Sequence, residues 1–516
     1  MVLPGDLRNG DLWTAFGERF GIKRGPAEKT ETRLYDSFAW SLWFADRALL
    51  QQESILKLVD LSGGWLGKVE HSCGLDGPVP RFAEEFEASA MRRVLLSNLN
   101  LRALQPVAGF TCSEQVVALL DGHRKTVFRL ALLQLFPNAR SRKPILRLVQ
   151  PRPLRGYDVA AAEAMGVLRL AGAVAADRSP LVQLLSSTRP EGTVVFGDCP
   201  TEHTLRPAFG LSPDQPAREA CQLIINRMLA IARVVEPGII RDIDTEFLHD
   251  YRICLRKVRS ILSLVKGIYP PGETDRLRQQ LKELARKTNL LRDLDVYLMA
   301  RPTYAAMLSA DLQDGLDGLF EHFADARARE LKAVVRHLKS ASYRKQITAL
   351  QQFFGDPDHA GEAPNAEKPL ASLVSARLRK AYRLIQRQQA KLNAGTPDAE
   401  VHALRIHCKK LRYLLEIFSE IYPAGTIEGL VKPLKKLQGQ LGNFNDYAVQ
   451  HQSLLEHADA CAREGRENKD LYMAVGGLVA TLDLKRRKER KRVEASLKGF
   501  CSDRVAAHIK TLSQSP

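Results

Sequence analysis

The chain contains no stretch of about 18 uncharged apolar residues, so no membrane-spanning helix is expected. Its opening, Met1-Val-Leu-Pro-Gly-Asp-Leu-Arg8, lacks the apolar core of a secretory signal. The eight cysteines, at positions 73, 112, 199, 221, 254, 408, 461 and 501, nowhere form Cys-x-x-Cys. Zinc ribbons and dithiol redox sites are therefore unsupported, and the thiols read as reduced, cytosolic and mostly packed in cores. Acidic side chains are in deficit: 59 Asp+Glu stand against 76 Lys+Arg, a formal charge of +17. The apolar fraction of 45% and charged fraction of 26% fit globular protein and exclude disorder. At roughly 100–200 residues per domain, 516 residues allow about three domain-sized units.

The charge is unevenly placed. Residues 1–200 carry 25 basic and 21 acidic side chains, whereas residues 201–516 carry 51 and 38. A field of that sign favours polyanions, whether nucleic acid, anionic membrane or inorganic polyphosphate.

Pattern divides the chain in the same place. Between about 30 and 155 lie short β-type runs: 54–61, ended by Gly63-Gly64, then 115–120 and 126–133 around the hairpin signal Asp121-Gly122, then 145–149. Pro and Gly punctuate 190–216, the expected linker region. Beyond Pro216 long amphipathic stretches alternate with breaks at 270–272, 355–369, 395–397 and 423–425. The expected fold class is multi-domain α+β: a β-rich domain over 1–195, a linker over 196–215 and an all-α domain over 216–508.

The helical region repeats itself. Residues 247–270 and 400–423 are identical at nine of 24 positions at an offset of 153. The same offset matches Leu277, Leu281, Lys282, Leu284, Asp293 and Val296 to Leu430, Leu434, Lys435, Leu437, Asp446 and Val449. A duplicated four-helix unit follows, with copies at about 216–355 and 369–508.

At 100° per residue, Leu255, Val258, Ile261, Leu262, Val265 and Tyr269 gather on one helix face. His249, Arg252, Arg256 and Arg259 fall on the other. The second copy places Leu404, Leu411, Leu414, Leu415, Phe418 and Tyr422 opposite His402, Arg405, Lys409 and Arg412, with the same 3, 4, 3 steps. A solvated basic face is the plain reading. Two features favour a ligand: no acidic residue is interleaved to form i,i+4 pairs, so the stripe repels itself, and the pattern occurs twice with its histidine. Cations one turn apart, about 5–6 Å, can engage one flexible polyanion, Arg through forked donors and Lys as a point charge. The twin histidines suit a metal, but apart from Asp250 neither has a partner ligand on its own helix face. His407 has Cys254 as its counterpart. A second donor at the end of the stripe is the favoured role, with helix-end hydrogen bonding as the structural alternative.

The pattern His-x-x-Arg-(Ile/Val)-x-x-(Lys/Arg)-(Lys/Arg)-(Leu/Val)-Arg, followed by a Leu-rich helix and an Asn/Arg-Asp element, resembles the CHAD domain. The resemblance covers roughly 215–505 and is carried by HALRIHCKKLRYLLEIF, VKPLKKLQGQLGNFND, HDYRICLRKVR and LLRDLDV. It implies two pseudo-symmetric four-helix bundles with a basic groove or pore between them and inorganic polyphosphate as ligand. The implied binding residues are His249, Arg252, Arg256, Arg259, Lys282, His402, Arg405, Lys409, Arg412 and Lys435, joined by the aligned pair Lys332 and Lys485. No cofactor or metal is expected. The resemblance also suggests a cytoplasmic protein on polyphosphate granules, with granule proteins as possible partners and no membrane partner. Nucleic acid is disfavoured as the specific ligand because the stripes carry no aromatic on their own face, Tyr413 only bordering one.

Residues 34–50, LYDSFAWSLWFADRALL, resemble the signature of the CYTH domain, an antiparallel β-tunnel acting on triphosphates, and 154–158 resemble the segment after its last strands. Tunnel chemistry needs Glu-x-Glu-x-Lys on one strand so that both acids face one cation. Glu28 and Glu31 have the wrong spacing, the following Arg-x-Arg is replaced around 50–53, and Lys125 and Arg147 remain as tunnel cations. The N-terminal domain is read as degenerate and the chain as non-enzymatic. The alternatives are a divergent triphosphatase or polyphosphate-metabolising enzyme, and an electrostatic nucleic-acid-binding module.

Overall fold

The computed structural model describes all residues except 63–66, 206, 357–360, 394, 424, 464, 466–467 and 513–516. The Gly63-Gly64 turn therefore lies outside the described residues. The chain forms two units, Met1–His203 and Thr204–Pro516.

The first unit opens with α1 (Asn9–Gly17) and holds seven strands: β1 (Gly21–Asp36), β2 (Arg47–Gln52), β3 (Ile55–Asp60), β4 (Val69–Gly74), β5 (Gln105–Leu120), β6 (Thr126–Phe136) and β7 (Leu146–Pro153). Helix α2 (Ala90–Leu99) precedes β5, and α3 (Asp158–Leu170) and α4 (Ser179–Ser187) follow β7. The strands lie in the order β4-β3-β2-β1-β5-β6-β7, every neighbour antiparallel. This β-rich unit is consistent with the CYTH-like reading. The β5–β6 hairpin forms, but its turn runs from Asp121 to Lys125. Asp121 Oδ1 accepts from the His123 and Lys125 amides, both at 2.9 Å, and Arg124, not Gly122, takes the left-handed conformation at φ 60°.

Both sheet faces are covered, in patches. Helices α1 and α3 bury Val117, Leu119, Phe128 and Leu130; α2 covers Leu49, Leu56 and Leu58; α4 packs on Leu34, Leu50, Phe110 and Leu148. The buried Asp36 closes the β1–β2 connection by accepting from the amides of Ser37 (2.7 Å), Leu42 (3.0 Å) and Trp43 (2.9 Å). The aspartate of the 34–50 signature thus serves the loop's architecture.

The second unit is helical: α5 (Ala217–Ile240), α6 (Thr245–Leu264), α7 (Pro271–Arg286), α8 (Asn289–Met299), α9 (Arg301–Ala305), α10 (Ala310–Gln313), α11 (Leu316–Lys339), α12 (Ala341–Gly355), α13 (Leu370–Gln389), α14 (Asp398–Ile417), α15 (Glu428–Arg463), α16 (Lys469–Phe500) and α17 (Asp503–Leu512). Helices α13, α14 and α16 begin 153 residues after α5, α6 and α11. The twelve apolar residues assigned to the core faces of α6 and α14 and their C-terminal ends are all buried. The copies differ in the next segment: the first breaks between α7 and α8, whereas the second runs through as α15.

A pseudo-two-fold axis is written into the backbone. The Ala217 amide donates to Lys368 O and the Leu370 amide to Gln215 O, both at 3.0 Å. Just beyond, Arg218 N donates to Ala366 O (3.1 Å) and Ala371 N to Pro213 O (3.0 Å). Each bond maps onto its mate when the copies are exchanged, the self-complementary geometry of an isologous contact. At the other end, Leu294, Phe320 and Phe323 of the first copy share a single core with Leu454, Leu471 and Leu478 of the second.

Where α5 meets α6, a β-carbon at Gly238 would overlap the ring of Phe247, which is fully buried. Gly476 of α16 has open space around its missing β-carbon. Gly238→Ala should therefore lower stability by about 1–3 kcal/mol through overpacking, while Gly476→Ala should raise it by up to about 1 kcal/mol through helix propensity. Urea unfolding of the two variants checks the opposite signs.

Candidate functional site

Helix α6 is started by Asp244, whose side chain accepts from the Glu246 (3.0 Å) and Phe247 (3.3 Å) amides. With its apolar face fixed in the core, its basic face is left half-buried or exposed: His249, Arg252 and Arg259 are partly covered and Arg256 is exposed. Helix α14 holds Arg405, Lys409 and Arg412 partly covered and His402 exposed.

The stripes meet at equivalent positions. Arg256 and Lys409, 153 residues apart, line one groove of about 670 Å³ together with Arg259, Arg278, Lys282, Lys410 and Tyr413. Asp275 is its one carboxylate, and it pairs with Arg278 at 3.3 Å. Burial, then the nearby Arg405 and Arg256, pull the Lys409 ammonium down to about 8, against the opposing effect of Asp446. Burial and the repulsion of Arg278 and Arg256 act in the same direction on Arg259.

The outer ends of the stripes also make contacts within the protein. Arg252 Nη1 donates to Thr288 Oγ1 (2.9 Å), Asn289 Oδ1 (2.8 Å) and Ala285 O (3.2 Å), tying α6 to the break between α7 and α8. In the second copy, where that helix is continuous, Arg405 instead faces Asp446 at 3.5 Å. His402 donates Nδ1–H to Asn445 Oδ1 (2.7 Å), and Asn445 Nδ2 donates to Asp446 Oδ1 (3.3 Å). His402 and Arg405 thus converge on one Asn-Asp pair, an arrangement that fixes the imidazole tautomer. His249 is placed equivalently on α6. Among the described residues no group of three or more His, Cys, Asp or Glu could hold a metal.

One expectation needs correction. The second stripe is not free of acidic neighbours: Glu416 lies four residues after Arg412, with 3.7 Å between Oε2 and Nε. Even so, the Nε donors of Arg405 and Arg412 are buried without a hydrogen-bond acceptor among the described residues. Tyr413 also lies inside the groove, with the Arg412 guanidinium 5.8 Å from its ring centroid.

The other assigned lysines are dispersed. Lys282 joins the axis groove, but Lys435 lines a separate groove of about 510 Å³ with Lys257, Lys432, Glu416 and Glu420. Lys332 and Lys485 line neither. Arg278 was missed from the sequence. It sits four residues before Lys282 on α7, so helical spacing signals it, but its repeat counterpart is Val431 and the duplication hides it. In the first unit, Lys125 sits in the β5–β6 turn, and Arg147 donates to Leu7 O and Asn9 Oδ1, tying down the N-terminal segment.

No helix among the described residues is long and apolar enough to cross a membrane. The chain is 22% identical over 307 residues to an uncharacterized protein of Mycobacterium tuberculosis, in each of two strains; the match covers 58% of this chain and 54% of theirs. The chain therefore spans about half the length of these curated relatives. Among solved structures it is similar to the CHAD domain from the plant Ricinus communis, with a TM-score of 0.47 and 23% identity over 57% of this chain and 95% of that one. It is also similar to PptA from Streptomyces chartreusis, with a TM-score of 0.42 and 14% identity over 55% and 99%. Residues 223–455 match the family model of the CHAD domain, and the segment holding both basic stripes and their facing Asp293 and Asp446 is a CHAD domain.

Proposed function

We propose that this chain binds inorganic polyphosphate without turning it over, with the bound chain crossing the axis between Arg256 and Lys409. The observation that carries this is the meeting of the two stripes in one groove, where a half-buried lysine is held among like charges. Unliganded, that arrangement is electrostatically costly, and a flexible polyanion relieves it. The CHAD domain is one associated with polyphosphate binding, which supports the same ligand. Attachment to cytoplasmic polyphosphate granules, with granule proteins as partners, follows from the reading.

Binding alone, without catalysis, is supported by β1. Glu28 and Glu31 pair with Glu114 and Thr111 of β5 in unbroken register. Three residues apart on a strand, they point to opposite faces and cannot hold one cation together.

Arg256→Glu combined with Lys409→Glu should lower affinity for long-chain polyphosphate at least tenfold and flatten its salt dependence, because fewer counterions are released. Labelled polyphosphate competed by RNA, DNA and ATP at two salt concentrations measures both effects and the preference. Equal competition by single-stranded RNA would move the assignment to nucleic acid.

The pH dependence has a definite sign. A phosphate contact raises the pKa of Lys409 from its unliganded value of about 8, so binding takes up a proton when that group is neutral. Affinity should be full well below pH 8 and fall as pH rises through and above 8. Lys409→Arg should abolish that fall, as seen by titration at constant ionic strength.

The full chain with Mg²⁺ or Mn²⁺ should release no phosphate from tripolyphosphate or ATP above the blank. Robust metal-dependent release, abolished by substitutions within 1–195 alone, would restore the enzyme reading.

A further inference from the structure

The two grooves of the helical unit are the same place in the two copies. At the offset of 153, Leu264 and Lys282 of the axis groove become Ile417 and Lys435 of the smaller one. Their chemistry has diverged. Ser263 of the first groove corresponds to Glu416 of the second, and Arg278 to Val431. Relative to the first groove, the second thus has one more anion and one fewer cation at these positions.

The linker completes the difference. Pro207 and Phe209 line the second groove. Lys257 donates to Leu205 O. Glu420 accepts from the amides of Phe209 (2.9 Å) and Leu211 (3.1 Å). A lysine of the basic helix and a carboxylate of the second copy therefore both bind linker backbone. Among the described residues, the first groove is lined only by α6, α7 and α14.

We propose that bound polyphosphate leaves the axis on the first-copy side alone, over Arg259, Arg278 and Lys282, and that the linker residues Leu205, Pro207, Phe209 and Leu211 form a strap closing the equivalent exit of the second copy. The proposal rests on the polyphosphate reading above. It makes Arg278 a binding residue and Lys435 a bystander. A polyanion entering the second groove would meet Glu416 and Glu420 and would have to displace a strap held by hydrogen bonds to charged side chains, the stronger kind.

The test uses the full chain and labelled long-chain inorganic polyphosphate at fixed salt. Arg278→Glu with Lys282→Glu should weaken binding about tenfold, whereas Lys432→Glu with Lys435→Glu should leave it within about twofold, since only the first pair loses ionic contacts. All four residues are exposed on helix surfaces, and circular dichroism verifies that the variants fold. Loosening the strap with Phe209→Ala and Glu420→Gln should make Lys435→Glu harmful. Equal losses from the two groove pairs, or none from the first, would overturn the one-sided path while leaving the ligand intact. Wild-type affinity in the Arg256→Glu, Lys409→Glu variant would instead remove the polyphosphate reading itself, and the strap proposal with it.

Discussion

Like charges held together at a packed contact are the constraint on which the helical unit turns. Arg256 and Lys409 face the same groove because α6 and α14 bury Leu255, Val258, Leu411 and Leu414 behind them. At about 25 cal/mol per Å² of apolar area, those cores outweigh the repulsion of partly solvated cations, which is worth a few kcal/mol at most. The site is therefore pre-organised by apolar packing and needs no ligand to assemble. The same packing explains the depressed Lys409, since the side chain cannot retreat fully into water.

Much of this was legible because helices keep one register for many residues. A period of 3.6 and an offset of 153 located both apolar faces, the stripes and the paired starts of α5 and α13. The sheet was less legible. β1 was overlooked because its outward Lys29, Glu31 and Arg33 alternate with inward Thr32 and Leu34, a half-buried pattern too polar to read as a strand. The β5–β6 turn was placed correctly but built on Arg124, since Asp121 could satisfy the loop amides with its own carboxylate.

The groove's centre was legible in the sequence, and the contacts at its margins were not. Spacing on one helix cannot show that Arg252 also hydrogen-bonds across the neighbouring break, to Thr288 and Asn289. Nor can it show that Asp446 and Asn445 arrive from another helix to engage Arg405 and His402. Repeat matching also favours residues that stayed the same. It selected Lys435 with Lys282 and passed over Arg278, whose counterpart is Val431.

The reciprocal backbone bonds at Gln215–Arg218 and Lys368–Ala371 have a meaning beyond stability. An isologous contact is what two identical subunits make, and in a homodimer every substitution is imposed on both sides at once. Here the two halves are covalently joined, so one side can differ at Val431 and Glu416 while the other keeps Arg278 and Ser263. Within one chain a symmetric fold can therefore carry two unlike grooves, one lined by Arg278 and Ser263 and the other by Val431 and Glu416.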